Sequence, residues 1–329
     1  MPAAAGAHTL TAYHSHMAML AALNHTISRL PLKKGHASLG HSSLGKRYTQ
    51  SHQPIWVAHR SGAHLFVNPR EFIGRTVAVT GDYDAAVTDV CTSVLRAGDN
   101  VLDIGGHCGV ITFACAATLQ RLGAGPGGAT GRIGVGHIHT FEPNPLMYGL
   151  IRRTLAASQA RNVTLHTCAL SDKRGTFELH MPGGSECEAS LEPTAAKSVN
   201  GRPAKSALVQ VQPAGEYLTR LQLPHVRLLK IDVEGHEPVI LRAAEPFLRT
   251  TPPDIIVFES HTSRGPFFSR PEVQILASLG YRFHAIERKL FSIRLRPLRT
   301  ESDLAQAWYD FVAIAPTPGG EEASSRLPH

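Results

Sequence analysis

Three short runs and a nearby acid–histidine pair have the residue types of a ligand site. The first run is Asp103-Ile104-Gly105-Gly106-His107-Cys108-Gly109, directly after the apolar Val101 and Leu102. Glycine lets the chain turn tightly and lets a ligand approach the backbone with no Cβ in the way. Free N–H groups at the start of a following helix suit an anion. A dinucleotide fingerprint counted from Gly105 needs glycine at its third and sixth positions. His107 and Val110 stand there, so that fingerprint is absent. The D-x-G-x-x-x-G spacing instead suits the carboxylate and ammonium of a methionine-derived sulfonium, with Asp103 meeting the ammonium through a charge-assisted hydrogen bond. Taken alone, the run also fits a plain strand-to-helix turn.

The second run is Phe141-Glu142-Pro143-Asn144-Pro145, where a carboxylate at a strand end can accept both hydroxyls of a ribose. Glu142 follows Gly105 by 37 residues, beyond the usual spacing of about 20, and the Gly-rich stretch 123–136 accounts for the excess. The third is Lys230-Ile231-Asp232-Val233-Glu234-Gly235-His236-Glu237. Alternation puts Asp232 and Glu234 on one side of an extended chain, where carboxylates orient a hydroxyl, hold a metal or act as base. Glu259 and His261 project toward the same rim, and a histidine beside a carboxylate can serve as a base near neutral pH. Equally, His261 is one of 19 histidines and can be without a role.

These runs need elements to position them, and the pattern supplies an α/β alternation. Strands are expected at 63–67, 76–80, 100–104, 138–141, 163–168, 208–212, 227–233, 255–259, 281–286 and 310–315. Helices are expected at 85–95 (capped by Asp84), 110–122, 145–157, 214–221, 238–247 and 271–279, with a hairpin turning at Asp172–Gly175. Strands alternating with helices mean a parallel sheet with crossover connections, which carries ligands outside the carboxyl ends of its strands. Residues 182–206 read as a long loop.

Composition narrows the partners. Net charge is +7, yet no acid precedes Glu71 while seven bases do, leaving residues 71–329 with 26 of each sign. A nucleic-acid groove shows as a basic face on the folded body, so no nucleic-acid partner is expected. No apolar run reaches the roughly 18–20 residues of a membrane helix, and a soluble, cytoplasmic protein is expected. The basic, acid-free residues 1–50 read as a disordered or organelle-targeting extension. The folded domain is expected over 51–318, with a polar tail at 319–329. Five cysteines form no metal-ligand spacing, so neither disulfides nor a metal are expected.

Together these segments resemble the FkbM family of S-adenosylmethionine-dependent methyltransferases. Gly81-Asp82-Tyr83-Asp84 resembles its G-x-Y-E, residues 103–109 its D-v-G-A-N-x-G, and Phe141-Glu142-Pro143 its F-E-P. Ala169-Leu170-Ser171-Asp172 matches A-L-S-D, and Leu229–Gly235 the L-K-I-D-V-E-G block. Gly106 and His107 replace an Ala-Asn pair, and Gln212-Pro213-Ala214-Gly215-Glu216 replaces a T-L-D segment. The resemblance implies a Rossmann-like class I methyltransferase fold: seven mostly parallel strands, the last antiparallel, with helices on both faces. It implies S-adenosyl-L-methionine as cofactor, held by Asp103, Gly105, Gly106, His107, Gly109 and Glu142, with Asp172 near the adenine. The reaction implied is O-methylation of a small-molecule, glycan or lipid-headgroup hydroxyl, with Asp232, Glu234 or His261 taking the proton. The competing expectation is a methyltransferase-like binding protein without activity.

Overall fold

The computed structural model describes residues 17–49, 53–124, 134–158, 160–182, 189–191, 204–304 and 309–328. Most of the stretches expected as loops at 123–136 and 182–206 lie outside these residues. Thirteen strands are present among them: β1 (Ile55–Ala58), β2 (His64–Val67), β3 (Asn100–Ile104), β4 (His137–Phe141), β5 (Val163–His166), β6 (Ala169–Ser171) and β7 (Gly175–Met181), then β8 (Lys205–Pro213), β9 (Leu228–Ile231), β10 (Ile255–Glu259), β11 (Arg282–Arg288), β12 (Ile293–Leu298) and β13 (Asp310–Ile314).

The main sheet runs β5-β4-β3-β9-β10-β13-β11-β12. The first five are parallel; β13 pairs antiparallel with both β10 and β11. The central strands are apolar on both faces, as Leu228-Leu229 and Ile255–Phe258 show by their burial, because helices cover both sides of a parallel sheet. One apolar layer joins Leu102, Ile104, Leu229 and Ile231 to the helices Glu237–Ala243 and Pro271–Ser278. The opposite layer joins Val101, Ile138 and Leu228 to the helices Ala85–Ser93 and Val110–Gly123. This is the expected class I arrangement with one addition, an eighth strand. Arg294, Arg296 and Pro297 hide β12 in the sequence, yet such residues belong on an edge strand, where they discourage further pairing.

Four local expectations change. Thr76–Thr80 is not a strand but the end of the helix Phe72–Thr80. There Thr76 and Thr80 donate to the carbonyls four residues earlier, at 2.9 and 2.8 Å, which satisfies their hydroxyls inside a buried helix. The Asp172–Gly175 turn does not close a hairpin; β8 inserts between β6 and β7. Within the supposed extension, residues 17–49 pack on the domain, burying Leu20 and Tyr48, and Asn24 donates to the carbonyls of Val77 and Ala78 at 3.0 and 3.2 Å. The polar tail also folds, as the helix Pro318–Ser324 with Ala323 and Leu327 buried.

That last helix is held by Arg227, which is fully buried at the start of β9. Its guanidinium reaches Asp99 at 3.1 Å and Asp254 at 2.9 Å, and also pairs with Glu322. Removing one partner from a buried ion network strands the remaining charges, a loss of about 3–5 kcal/mol. Arg227→Ala is therefore expected to destabilise the fold by about that amount in chemical denaturation, whereas Arg326→Ala, at an exposed pair with Glu322, should change it little. Equal effects would contradict the role given to Arg227.

Candidate cofactor and transfer site

The carboxyl ends of β3, β4, β9 and β10 open into a cavity of about 510 Å³, within the roughly 300–1,000 Å³ of small-molecule sites. Gly105, Gly106, His107, Glu142, Asp232, Glu234, Glu259 and His261 all line it. Four separate chain segments thus converge on one space. Asp103, Gly109 and Asp172 do not line it.

The loop after β3 is fixed by close approach. Gly105 has φ +86°, and a Cβ there would lie 1.9 Å from the Asp232 carbonyl oxygen. A Cβ on Gly106 would lie 2.2 Å from Thr140 Oγ1. Both glycine N–H groups donate to the Phe141 carbonyl at 3.0 Å, pinning the loop to the end of β4. His107 adopts φ +49°, and its N–H donates to Glu142 Oε2 at 2.7 Å. The other Glu142 oxygen accepts from Asn144 N–H at 2.8 Å. Burial pushes the Glu142 carboxyl up to about 7, and these two N–H groups offset only part of that. The His107 ring is neutral: burial, helped by Lys230, lowers it to about 4. Both its ring nitrogens are buried with no hydrogen-bond partner among the described residues.

Asp103 takes a place other than the one expected. It is buried beneath the loop, accepting from Thr112 Oγ1 at 2.5 Å, with a buried cation as its neighbour. Lys230 donates to the Gly105 carbonyl at 2.8 Å and lies 3.7 Å from Asp103 and 3.3 Å from Asp232. Burial works against its charge, but the carboxylates of Asp232 and Asp103 prevail and raise its pKa. The signal was legible as a lysine inside the apolar run of β9, where an unpaired charge is not tolerated. Asp172 is exposed, beside Ser171 at 3.0 Å, and borders a separate shallow pocket with Pro213 and Glu216.

The far rim is acidic. Glu259 lies 3.4 Å from His261 Nε2. Burial, with Asp232, Asp310 and Glu234 around it, raises its carboxyl far above the usual range, which makes it a proton donor at neutral pH and leaves base chemistry to its neighbours. Ligand atoms of Glu234, Glu259 and His261 fall within 4.8 Å of one another, close enough for one acceptor hydroxyl or one divalent cation to bridge them. Asp84 and Asp310, also on the wall, share Arg288 at 2.6 Å each. Asp84 caps the helix Ala85–Ser93 as expected, accepting from Ala86 and Val87 N–H.

Residues 123–283 match the family model described as the Methyltransferase FkbM domain. Over that stretch, just under half of its length, the chain is similar to FkbM methyltransferases. A curated relative, Methyltransferase 1 of Beauveria bassiana (strain ARSEF 2860), is 26% identical over 172 residues. That alignment takes in 48% of this chain and 64% of the relative, so the chain spans under two thirds of the relative's length. Among solved structures, Methyltransferase FkbM from Methylobacillus flagellatus is 14% identical with TM-score 0.39, covering 67% of this chain and 44% of that one. A SAM-dependent methyltransferase from Agrobacterium tumefaciens is 9% identical with TM-score 0.41, covering 81% and 71%. The FkbM match begins after the Asp103–Gly109 loop, whose reading therefore rests on its own geometry.

Lys230 gives the first test of that geometry. Lys230→Met removes the cation between Asp103 and Asp232 and is expected to lower thermal stability, because it leaves the buried Asp103 carboxyl without its partner. The double variant Lys230→Met with Asp103→Asn removes the stranded carboxylate as well and should regain much of the lost thermal stability. Unchanged thermal unfolding in the single variant would show that the loop does not depend on this residue.

Proposed function

We propose that this chain is an S-adenosylmethionine-dependent O-methyltransferase acting on a hydroxyl of a small molecule or glycan. The observation that carries the reading is the convergence of the Gly105-Gly106-His107 loop, Glu142 and the Asp232–His261 rim on one cavity. The residues fit the cofactor by their chemistry. The glycines let the loop turn tightly at the cavity edge, Glu142 offers the acceptor oxygens a ribose needs, and the buried His107 nitrogens offer one donor and one acceptor. When bound, S-adenosylmethionine supplies a methyl carbon activated by the sulfonium.

The remaining work is alignment and proton removal. In-line transfer needs reacting atoms about 3–3.5 Å apart, and the rim residues hold the acceptor hydroxyl. Asp232, Glu234 and His261 are the groups proposed to accept its proton, a contribution of about 10²–10⁴-fold in rate. Asp103 is proposed to act on the cofactor indirectly, by holding Lys230 and Thr112 beneath the loop. Asp172 is proposed to sit at the margin, steadying the turn after β6.

Glu142 makes the cofactor step pH-dependent with a definite sign. Its carboxyl is raised from 4.5 to about 7, so the empty protein holds an extra proton between those values and loses stability as pH rises through them. Ribose hydroxyls donate best to the ionised form, so affinity should rise by up to about tenfold between pH 6 and pH 8. Titration calorimetry of wild type against Glu142→Gln measures this: the variant should bind more weakly with a flat pH profile. A sloped profile in the variant would remove Glu142 from the ribose contact.

The transfer step has its own test. Asp232→Asn and His261→Asn, assayed with labelled cofactor on the product identified from a cell extract, should each lower kcat by about 10²-fold or more if that residue is the base. Cofactor binding measured by calorimetry should persist in His261→Asn. If the wild-type protein binds the cofactor but labels nothing, the binding-protein reading replaces the enzyme.

A further inference from the structure

The basic charge in the first 70 residues has no role in the cavity, and the structure shows what it adjoins. The segment Lys289-Leu290-Phe291-Ser292-Ile293-Arg294-Leu295-Arg296-Pro297-Leu298-Arg299 is a second acid-free, basic stretch, forming the tip and outer strand of the β11–β12 hairpin. Lys33 N–H donates to the Leu290 carbonyl at 2.8 Å, so the segment around Leu30–Lys34 runs beside that tip. Two stretches far apart in sequence, both cationic, therefore meet.

The tip is apolar. Lys289 N–H donates to the Ser292 carbonyl at 2.9 Å, which closes a turn with Leu290 and Phe291 as its two central residues. Neither adopts the left-handed backbone that would call for Asn, Asp or Gly. The two carry bulky apolar side chains, 53% and 59% exposed, beside Leu30 at 48%. Exposed apolar side chains grouped in this way mark an interaction surface. Around them Lys34, Lys289 and Arg294 are exposed. Lys33 is instead paired with Asp89, and Arg288 with Asp84 and Asp310.

We propose that this hairpin tip, with the adjoining Leu30–Lys34 segment, docks on an anionic lipid surface. Exposed apolar side chains surrounded by lysine and arginine enter the headgroup boundary while the cations meet acidic headgroups. Each such cation contributes about fivefold to partitioning, equivalent to about 1 kcal/mol. Nucleic acid would use the cations but not the apolar tip. A second copy pairing along β12 would have to accommodate Arg294, Arg296 and Pro297 on its edge. The docked surface is also tied to the cavity, since Arg288, which directly precedes the tip, binds two carboxylates of the cavity wall. Docking of this kind is independent of the reaction proposed above.

The experiment is co-sedimentation of the full chain with vesicles of phosphatidylcholine alone and of phosphatidylcholine with phosphatidylserine, at low and high salt. Binding is expected only to the anionic vesicles and should weaken as salt rises. Leu290→Ser with Phe291→Ser, and separately Lys289→Glu with Arg294→Glu, should each reduce binding by about tenfold or more, while unchanged thermal unfolding shows that the fold is intact. No binding to anionic vesicles, equal binding to neutral ones, or wild-type binding by the apolar variant would overturn the proposal. So would single-stranded RNA displacing the vesicles while the Leu290/Phe291 variant binds them normally, which would assign the surface to nucleic acid.

Discussion

The buried ammonium of Lys230 is the point on which the cavity depends. β9 lies between β3 and β10, and its one charged side chain reaches sideways to the Gly105 carbonyl and the carboxylates of Asp103 and Asp232. A cation desolvated in that position is tolerable only when partners surround it. Each partner belongs to a segment the cavity needs: Gly105 to the loop, Asp103 to the strand beneath, Asp232 to the rim. The contact of Gly105 with the Asp232 backbone then follows, because the two chain ends are drawn close enough to exclude a Cβ.

A second constraint closes the opposite wall. The two oxygens of Glu142 accept from His107 and Asn144 N–H groups, so the carboxyl clamps the loop while still facing the cavity. This accounts for the left-handed backbone of His107, a conformation that a residue other than glycine holds only when its surroundings impose it. His107, where this loop departs from the FkbM pattern it resembles, therefore keeps its backbone contact with Glu142.

Much of this was legible in the residues, and what was not has identifiable causes. Strand–helix alternation and the three acidic runs located the sheet and most of the cavity wall, because apolar periodicity and glycine spacing are local properties. Thr76–Thr80 was misread because its β-branched residues suit a strand unless their hydroxyls find helical carbonyls, which only burial decides. The order β6-β8-β7 depends on long-range pairing that no turn signature contains. Asp103 was given a ligand because a strand-end acid looks available, and the lysine that occupies it lies 127 residues further on. The acid-free start was read as an extension because nothing in its composition reports the surface on which Asn24 and Leu20 dock.

The distribution of charge across the cavity bears on which ligands it admits. Asp84, Asp232, Glu234 and Asp310 line the cavity, and the nearby cations Lys230 and Arg288 are already engaged with carboxylates. A polyphosphate placed there would meet like charge in a partly desolvated space, which costs several kcal/mol per close contact at the low effective dielectric of such sites. A sulfonium and an ammonium meet the opposite sign, and a neutral polyol meets acceptors for its hydroxyls. The same field that raises Glu259 therefore favours a cationic cofactor over a dinucleotide, and it does so independently of the glycine spacing that first separated the two.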